Sequence, residues 1–456
     1  MGGDGSRAKA STDLPWIGRV PADYVFTELP PTAQRILVAA QHVLARDGWR
    51  GLTLRRIAAE AGESKSLIIY HFESKSGLLE ALVDSLWHDV DVELVRTVDE
   101  LPVDSPDRVG ALIRAQAALS RQREQYQMYW ELVPHLLRDR AVRERMAALN
   151  ESYRDLGERC LRPLGLAEAE IRPLASFMLA VLDGMGVLGL LLPDADDEKV
   201  YDLLAGVLGT ATAADVDGAR PAGQRSSSPS TSGLRMEPEA RRAEGAETGS
   251  RPPCAPIAGW PVASPPDAEL SPVARNLLRG ALKVLRRRGY QGLTFEALAR
   301  EAREPRSATT YYFGDKHGLL VAVLDALIYE KCRLGERLLS QAATASDPLL
   351  AVFGMLKHIL ADRRIYRVFY ELLPVVLRDQ DLLSREASFD RWLLDGVAAV
   401  LEAGTPPAVA ASSDRLAIIL LAATDGLALQ WLLDPGGFDP GPPLDVFRLL
   451  LMECAG

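Results

Sequence analysis

Gly48–Leu79 reads GWRGLTLRRIAAEAGESKSLIIYHFESKSGLL, and Gly289–Leu320 reads GYQGLTFEALAREAREPRSATTYYFGDKHGLL, 241 residues further on. Two more landmarks nearly keep that spacing. Glu131 in YWELVPHLLRD answers to Glu371 in FYELLPVVLRD, and Asp183 in LAVLDGMGVLGLLLPD answers to Asp425 in LAATDGLALQWLLDP. A period this long marks a duplicated domain rather than a solenoid repeat. Each copy, roughly 180 residues, is large enough for a core of its own. What one copy does as half of a pair, this chain can do alone.

Within the first copy, Ile36, Leu37, Ala40, Val43 and Leu44 recur at helical spacing from Thr32 onward, and Gly48 stops that helix. Thr53 caps a short helix whose inner face is Leu54, Ile57, Ala58 and Ala61. Gly62 allows a sharp turn, since glycine accepts a positive φ without steric cost. Ser64 caps a third short helix through Tyr70, Phe72 plugs the turn beneath it, and Ser74 caps a long helix from Lys75 towards Arg96. Two short helices about a tight turn form a helix-turn-helix, whose second helix enters the major groove. Lys65, Ser66 and Leu67 stand at the start of that helix. Lys65 is the candidate for reading guanine and Leu67 for touching a thymine methyl. Tyr70 and His71 can bond phosphates, and Lys75 opens a helix whose N–H groups can do the same. The bland reading is that Tyr70 and Phe72 are core.

From Asp107 to Leu208 the pattern stays helical, with breaks at Pro134, Pro163 and Pro193. Leu174–Leu192 is apolar on most sides, which predicts burial from more than one direction. Thr210 to about Glu269 is rich in Pro, Gly, Ser and charge and reads as a flexible linker. The second copy follows from Ser271. The predicted domains are an arm at 1–28, a first helix-turn-helix domain at 29–96, a first helical domain at 97–209, a linker at 210–270, a second helix-turn-helix domain at 271–338 and a second helical domain at 339–456. Arg7, Lys9 and Arg19 leave two readings of the arm open: a basic segment that touches a minor groove or phosphates, or a disordered tail with no role.

Apolar residues are 48% of the chain and aromatic residues 6%, with Ala and Leu abundant, as in fully helical proteins. The net charge of −10 disfavours nucleic acid for the chain as a whole. Locally the balance reverses: Pro31–Glu80 carries seven Lys/Arg against five Asp/Glu, and Val273–Leu320 ten against four. Cys160, Cys254, Cys332 and Cys454 are scattered, which argues for a reducing compartment and against a structural metal. No signal-like N-terminus is evident, and the apolar runs Val187–Leu192 and Ile418–Ala423 are too short to span a bilayer. These features predict a cytoplasmic protein with no membrane partner. HExxH, GxxxxGK[ST] and GxSxG are absent, so no catalytic site is predicted, and neither is a cofactor or a metal. One GxGxxG string, Gly184, Gly186 and Gly189, follows no predicted strand and reads as close helix packing instead.

Thr53–Leu79 resembles the DNA-binding domain of the TetR family of transcriptional regulators, whose pattern runs T…IA..AGVS.G.LY.HF.SK..L. Thr53, Ile57, Ala58, Ala61, Gly62, Ser64, His71, Phe72, Ser74, Lys75 and Leu78 match it. Glu63, Ser66 and Ile69 depart from it. The second copy matches at Thr294, Leu298, Ala299, Ala302, Tyr311, Phe313, Lys316 and Leu319. There Arg303 replaces the turn glycine, Pro305 the serine cap and Tyr312 the histidine. Arg306, Thr309 and Thr310 offer groove contacts. Two readings of this second head stay open: a different base preference, or a fold kept for pairing without sequence reading.

The resemblance implies an all-α chain of two tandem units, each a helix-turn-helix domain plus a helical regulatory and dimerisation domain. It implies a repressor that binds a double-stranded operator and releases it on binding a small apolar or amphipathic inducer. Inducer candidates are Tyr126, Met128, Tyr129, Trp130 and His135 in the first copy and Tyr366, Phe369 and Tyr370 in the second, although aromatics at helical spacing are more often core. The last two helices of each copy would then pair within the chain as a pseudo-dimer, with a homodimer of chains as the rival arrangement. Unlike recognition segments, SKSLIIY and PRSATTY, predict an asymmetric operator. A sensing or protein-interaction module that no longer reads DNA is the alternative.

Overall fold

The computed structural model describes residues 29–121, 123–195, 197–209 and 271–455. The basic arm, the linker composition and Cys254 lie outside the described residues. Among those described, every regular element is helical. The first copy runs α1 (Pro31–Gly51), α2 (Leu54–Ala61), α3 (Lys65–Phe72), α4 (Lys75–Asp99), α5 (Asp107–Ser120), α6 (Arg123–Leu136), α7 (Arg140–Leu161), α8 (Glu168–Leu191) and α9 (Glu198–Gly209). The second repeats it as α10 (Pro272–Gly292), α11 (Phe295–Ala302), α12 (Arg306–Phe313), α13 (Lys316–Ala343), α14 (Pro348–Leu360), α15 (Arg363–Val376) and α16 (Gln380–Gly404). After one extra turn, α17 (Pro407–Ala410), it ends in α18 (Ser413–Leu433) and α19 (Gly441–Ala455).

Local sequence explains the heads. Ile36, Leu37, Ala40, Val43 and Leu44 are all fully buried along one face of α1. The chain turns at Gly48, where φ is 64°. The Thr53 side chain accepts from the Arg56 N–H at 3.3 Å, Ser64 from Leu67 at 3.2 Å and Ser74 from Gly77 at 3.0 Å. Each bond satisfies a helix-start donor that would otherwise lack a partner. Phe72 is buried beneath the turn.

Some boundaries differ from the sequence expectation. Pro134 does not break its helix but lies inside α6, one turn from the end, as Pro374 does in α15. A proline there removes one hydrogen bond, which the tertiary contacts of the buried Trp130 and Leu132 outweigh. α3 continues to Phe72 rather than stopping at Tyr70, and α12 likewise runs to Phe313. Breaks do fall at Pro163 and Pro193, each within a short 3₁₀ turn.

α8 and α18 form the most extensive helix contact among the described residues, and α9 and α19 complete a four-helix cluster with them. The crossing is close because both helices present glycine. A Cβ on Gly184 would lie 1.8 Å from the Ala422 carbonyl oxygen, and one on Gly426 would lie 2.0 Å from that of Ala180. The two contacts are mirror partners under the repeat. Phe177 and Phe447 stack across the cluster at 3.9 Å. Gly186 instead receives the Tyr126 ring of its own copy. Both α8 and α18 are long and apolar enough to cross a membrane, a property the short runs noted in the sequence understate. Most of each is buried inside the protein.

Candidate nucleic-acid interface

Each head turns one helix outward. On α3, Lys65, Ser66, Ile69 and Tyr70 are exposed, Tyr70 at 78%. On α12, Arg306, Ser307, Thr310 and Tyr311 are exposed, Tyr311 at 81%, and Tyr312 is just exposed. An aromatic ring left almost wholly in water at the same position of both copies points to a contact surface. Leu67 and His71 are half-buried. Thr53 and Thr294 are exposed and cap the helix before the turn. Arg306 pairs with Glu296 at 2.9 Å.

One expectation fails here. Thr309 is fully buried and its hydroxyl donates to the Arg306 carbonyl at 2.5 Å, so it supports the helix and cannot reach a groove. The turn itself survives the loss of glycine. Gly62 holds φ 68° and ψ 27°, while Arg303 holds φ 57° and ψ 40° in the same left-handed region. A side chain there costs about 1 kcal/mol. Pro305 starts α12 with no side-chain cap.

The heads are tied to the bodies by a junction the sequence did not disclose. The Trp49 N–H donates to Glu131 at 3.1 Å, and the Tyr290 N–H donates to Glu371 at 3.2 Å. Each carboxylate then meets an arginine from the other copy, Arg378 on Glu131 and Arg138 on Glu371. Arg138 also donates to the Arg288 carbonyl at 2.9 Å, and Arg50 to the Gln291 side chain at 3.2 Å. Glu131 and Glu371 are both about 5% exposed. Lys75 lies 4.7 Å from the Trp49 ring centre and Lys316 lies 4.1 Å from that of Tyr290. Burial lowers both lysines, Lys316 to about 8. Of these residues, Trp49, Arg50, Glu131, Tyr290, Glu371 and Arg378 line a cleft of about 290 Å³ between the copies.

The inducer candidates divide. Tyr129 lines a cavity in the first copy, and Tyr366 and Phe369 line one in the second. His135 lines the central cleft, stacked on Trp49 at 3.4 Å, and burial with the Arg138 and Lys75 charges pushes it down to about 3. Trp130 and Tyr370 line none of these three cavities: they stack on each other across the copies at 5.8 Å, and the Tyr370 hydroxyl donates to the Asp425 carbonyl at 2.7 Å. Tyr126 is buried against Gly186, its hydroxyl accepting from Gln116 at 2.7 Å. Met128 is half-buried on the core. Asp183 and Asp425, acids in the apolar stretch beyond the first turn of α8 and α18, each line a cavity in their own copy, and burial pushes both up to about 7. An acid set deep in an apolar stretch was the available signal for them.

Two helix-turn-helix heads on one helical body define a DNA-binding regulator. The pattern described as "Bacterial regulatory proteins, tetR family" matches twice, at residues 36–82 and 277–323, and "BetI-type transcriptional repressor, C-terminal" matches 351–453. The chain belongs to the TetR family of transcriptional regulators. It is 28% identical over 176 residues to an uncharacterized HTH-type transcriptional regulator in the dhlA 5' region of Xanthobacter autotrophicus, covering 36% of this chain and 82% of that one. It is 26% identical over 183 residues to HTH-type transcriptional regulator BetI 2 of Chromohalobacter salexigens, covering 39% and 86%. A solved structure of the multidrug binding protein EbrR complexed with imidazole is 28% identical, covering 39% and 93%, with a TM-score of 0.31. Most of a relative's length thus spans less than half of this chain.

Proposed function

We propose that this chain is a ligand-responsive repressor acting as an intramolecular pseudo-dimer on an asymmetric operator. The observation that carries the reading is the α8–α18 crossing. It joins the copies as the partners of a symmetric dimer would be joined, with one head at the end of each. Lys65 and Ser66 read one half-site, and Arg306 and Thr310 read the other. Tyr70, His71, Lys75, Tyr311, Tyr312 and Lys316 contact phosphates, with Thr53, Ser64 and Thr294 holding the helix starts. Because the exposed residues differ, the half-sites differ.

Binding-site selection with the purified protein, followed by native mass measurement on the selected DNA, tests this. One chain on a non-palindromic site is expected. Two chains per site would replace the pseudo-dimer with a homodimer, and a perfect palindrome would refute the asymmetry. The second reading, in which α12 no longer reads bases, is favoured by Thr309 turning inward and by the missing cap at Pro305. It predicts that Lys65→Ala alters the selected sequence while Arg306→Ala does not.

A further inference from the structure

The internal cavities of the two copies have diverged in charge. The second, of about 60 Å³, lies between α13, α15, α16 and α18 and is lined by apolar side chains together with Lys331, Glu386, Asp390 and Asp425. At the positions matching Lys331, Glu386 and Asp390, the first copy carries Val90, Met146 and Asn150. Only the Asp183 and Asp425 pair is acidic in both copies.

Inside the second cavity, the Lys331 ammonium pairs with Glu386 and lies 4.1 Å from the centre of the Phe389 ring and 5.4 Å from that of Phe369. One cation and one carboxylate thus satisfy each other, and both aromatic rings are occupied. Asp390 is left over. It is only 7% exposed, it lines the cavity, and it makes no hydrogen bond or ion pair among the described residues. A buried carboxyl group without a donor is costly unless something fills the gap. The groups facing it are Glu386 on its own helix, Lys331 from α13 and Asp425 from α18, with Tyr366 of α15 in the same cavity lining. Burial, then the Glu386 charge, holds the Asp390 proton on well above the ordinary carboxyl range, against the opposing pull of Lys331. Burial likewise keeps Asp425 up at about 7.

We propose that the cavity of the second copy takes a protonated amine or amidine with a short apolar tail, whose N–H groups donate to Asp390 and Asp425. The proposal rests on the ligand-responsive reading above and supplies its ligand class. The surplus of acid calls for a cation. Lys331 already covers Phe369 and Phe389, and the carboxyl groups that remain ask for N–H donors, which a quaternary ammonium lacks. The volume admits an ammonium head, with Leu334, Leu356 and Leu421 beside the tail. The ligand arrives charged, so Asp390 or Asp425 ionises and its proton passes to solvent. The first cavity, with Asn150 in place of Asp390, lacks this receptor, so the two copies sense different compounds.

Calorimetric titration of the full chain with n-hexylamine, hexanol and hexyltrimethylammonium near neutral pH tests this. Hexylamine should bind once per chain, with a heat that changes between phosphate and Tris buffers because a proton is released. Asp390→Asn should weaken it at least about tenfold, through loss of a charge-assisted bond. Asp425→Asn provides the same reading if the first variant fails to fold. Absence of hexylamine binding, equal binding of hexanol or hexyltrimethylammonium, or an unchanged affinity in a folded variant would overturn the proposal. A gel shift separates the two readings. Hexylamine that binds without releasing the operator sinks the ligand-responsive reading alone, while release by another compound, with no hexylamine binding, sinks the amine reading alone.

Discussion

Replacing Gly184 with alanine places a methyl group 1.8 Å from the Ala422 carbonyl oxygen and 2.5 Å from its carbon. Both are backbone atoms within α18, so no rotamer change relieves the clash. Contact distances below 3.0 Å essentially do not occur, so α8 and α18 must part by more than about 1 Å. Overpacking of a core costs about 1–3 kcal/mol. With backbone on both sides, the expected loss is at the upper end, about 3 kcal/mol. Gly426→Ala should cost about as much, because its methyl meets the Ala180 carbonyl oxygen at 2.0 Å. The double variant should cost less than the two singles together, since one separation of the helices relieves both clashes. Urea unfolding followed by circular dichroism supplies the free energies, and small-angle scattering reports whether the copies move apart. Gly354→Ala is the control: it is exposed within α14 with nothing near its Cβ, and it should stabilise by up to about 1 kcal/mol through helix propensity alone. A Gly184→Ala variant with an unshifted midpoint, or full additivity in the double variant, would refute the crossing as described.

Three further outcomes are expected. Arg378→Ala should destabilise by about 1–3 kcal/mol, the usual cost of breaking a buried pair reduced because the arginine is partly exposed, and adding Glu131→Gln should recover part of the loss in a double-mutant cycle. His135 is held neutral down to about pH 3 in the folded chain, whereas unfolded it titrates at 6.5, so its contribution is lost as pH falls between those values. His135→Phe, which keeps the stack on Trp49, should remove that part of the acid slope in pH-dependent unfolding. Arg303→Gly should stabilise the second head by about 0.5–1 kcal/mol by relieving the left-handed side chain, read as a raised thermal midpoint.

The heads could be read almost residue by residue because their rules are local: Thr53, Ser64 and Ser74 cap helices, and Gly62 turns the chain. Thr309 was misjudged because alternation of exposed and buried faces on a helix this short depends on where α12 sits against α10. Trp130 and Tyr370 were inducer candidates on helical spacing, yet that spacing says only that a side chain is buried, not against what. The two rings stack on each other across the copies. The repeat made Glu131 and Glu371 visible as equivalents. Nothing in the chain order showed that each would take its arginine from the opposite copy, because that pairing depends on the crossing of α8 and α18. The charged groups of the second cavity lie on three helices, Lys331 on α13, Glu386 and Asp390 on α16 and Asp425 on α18, and only folding brings them together.

Because both faces of the α8–α18 contact belong to one polypeptide, its formation is unimolecular. Diluting the protein does not dissolve the pair. A regulator assembled from separate subunits loses its active form with the square of its abundance once it is scarce. On the pseudo-dimer reading proposed above, the number of paired heads falls only in proportion to the number of chains. Control would then persist in a cell that holds very few copies, and a damaged chain would not poison an intact one by pairing through this face.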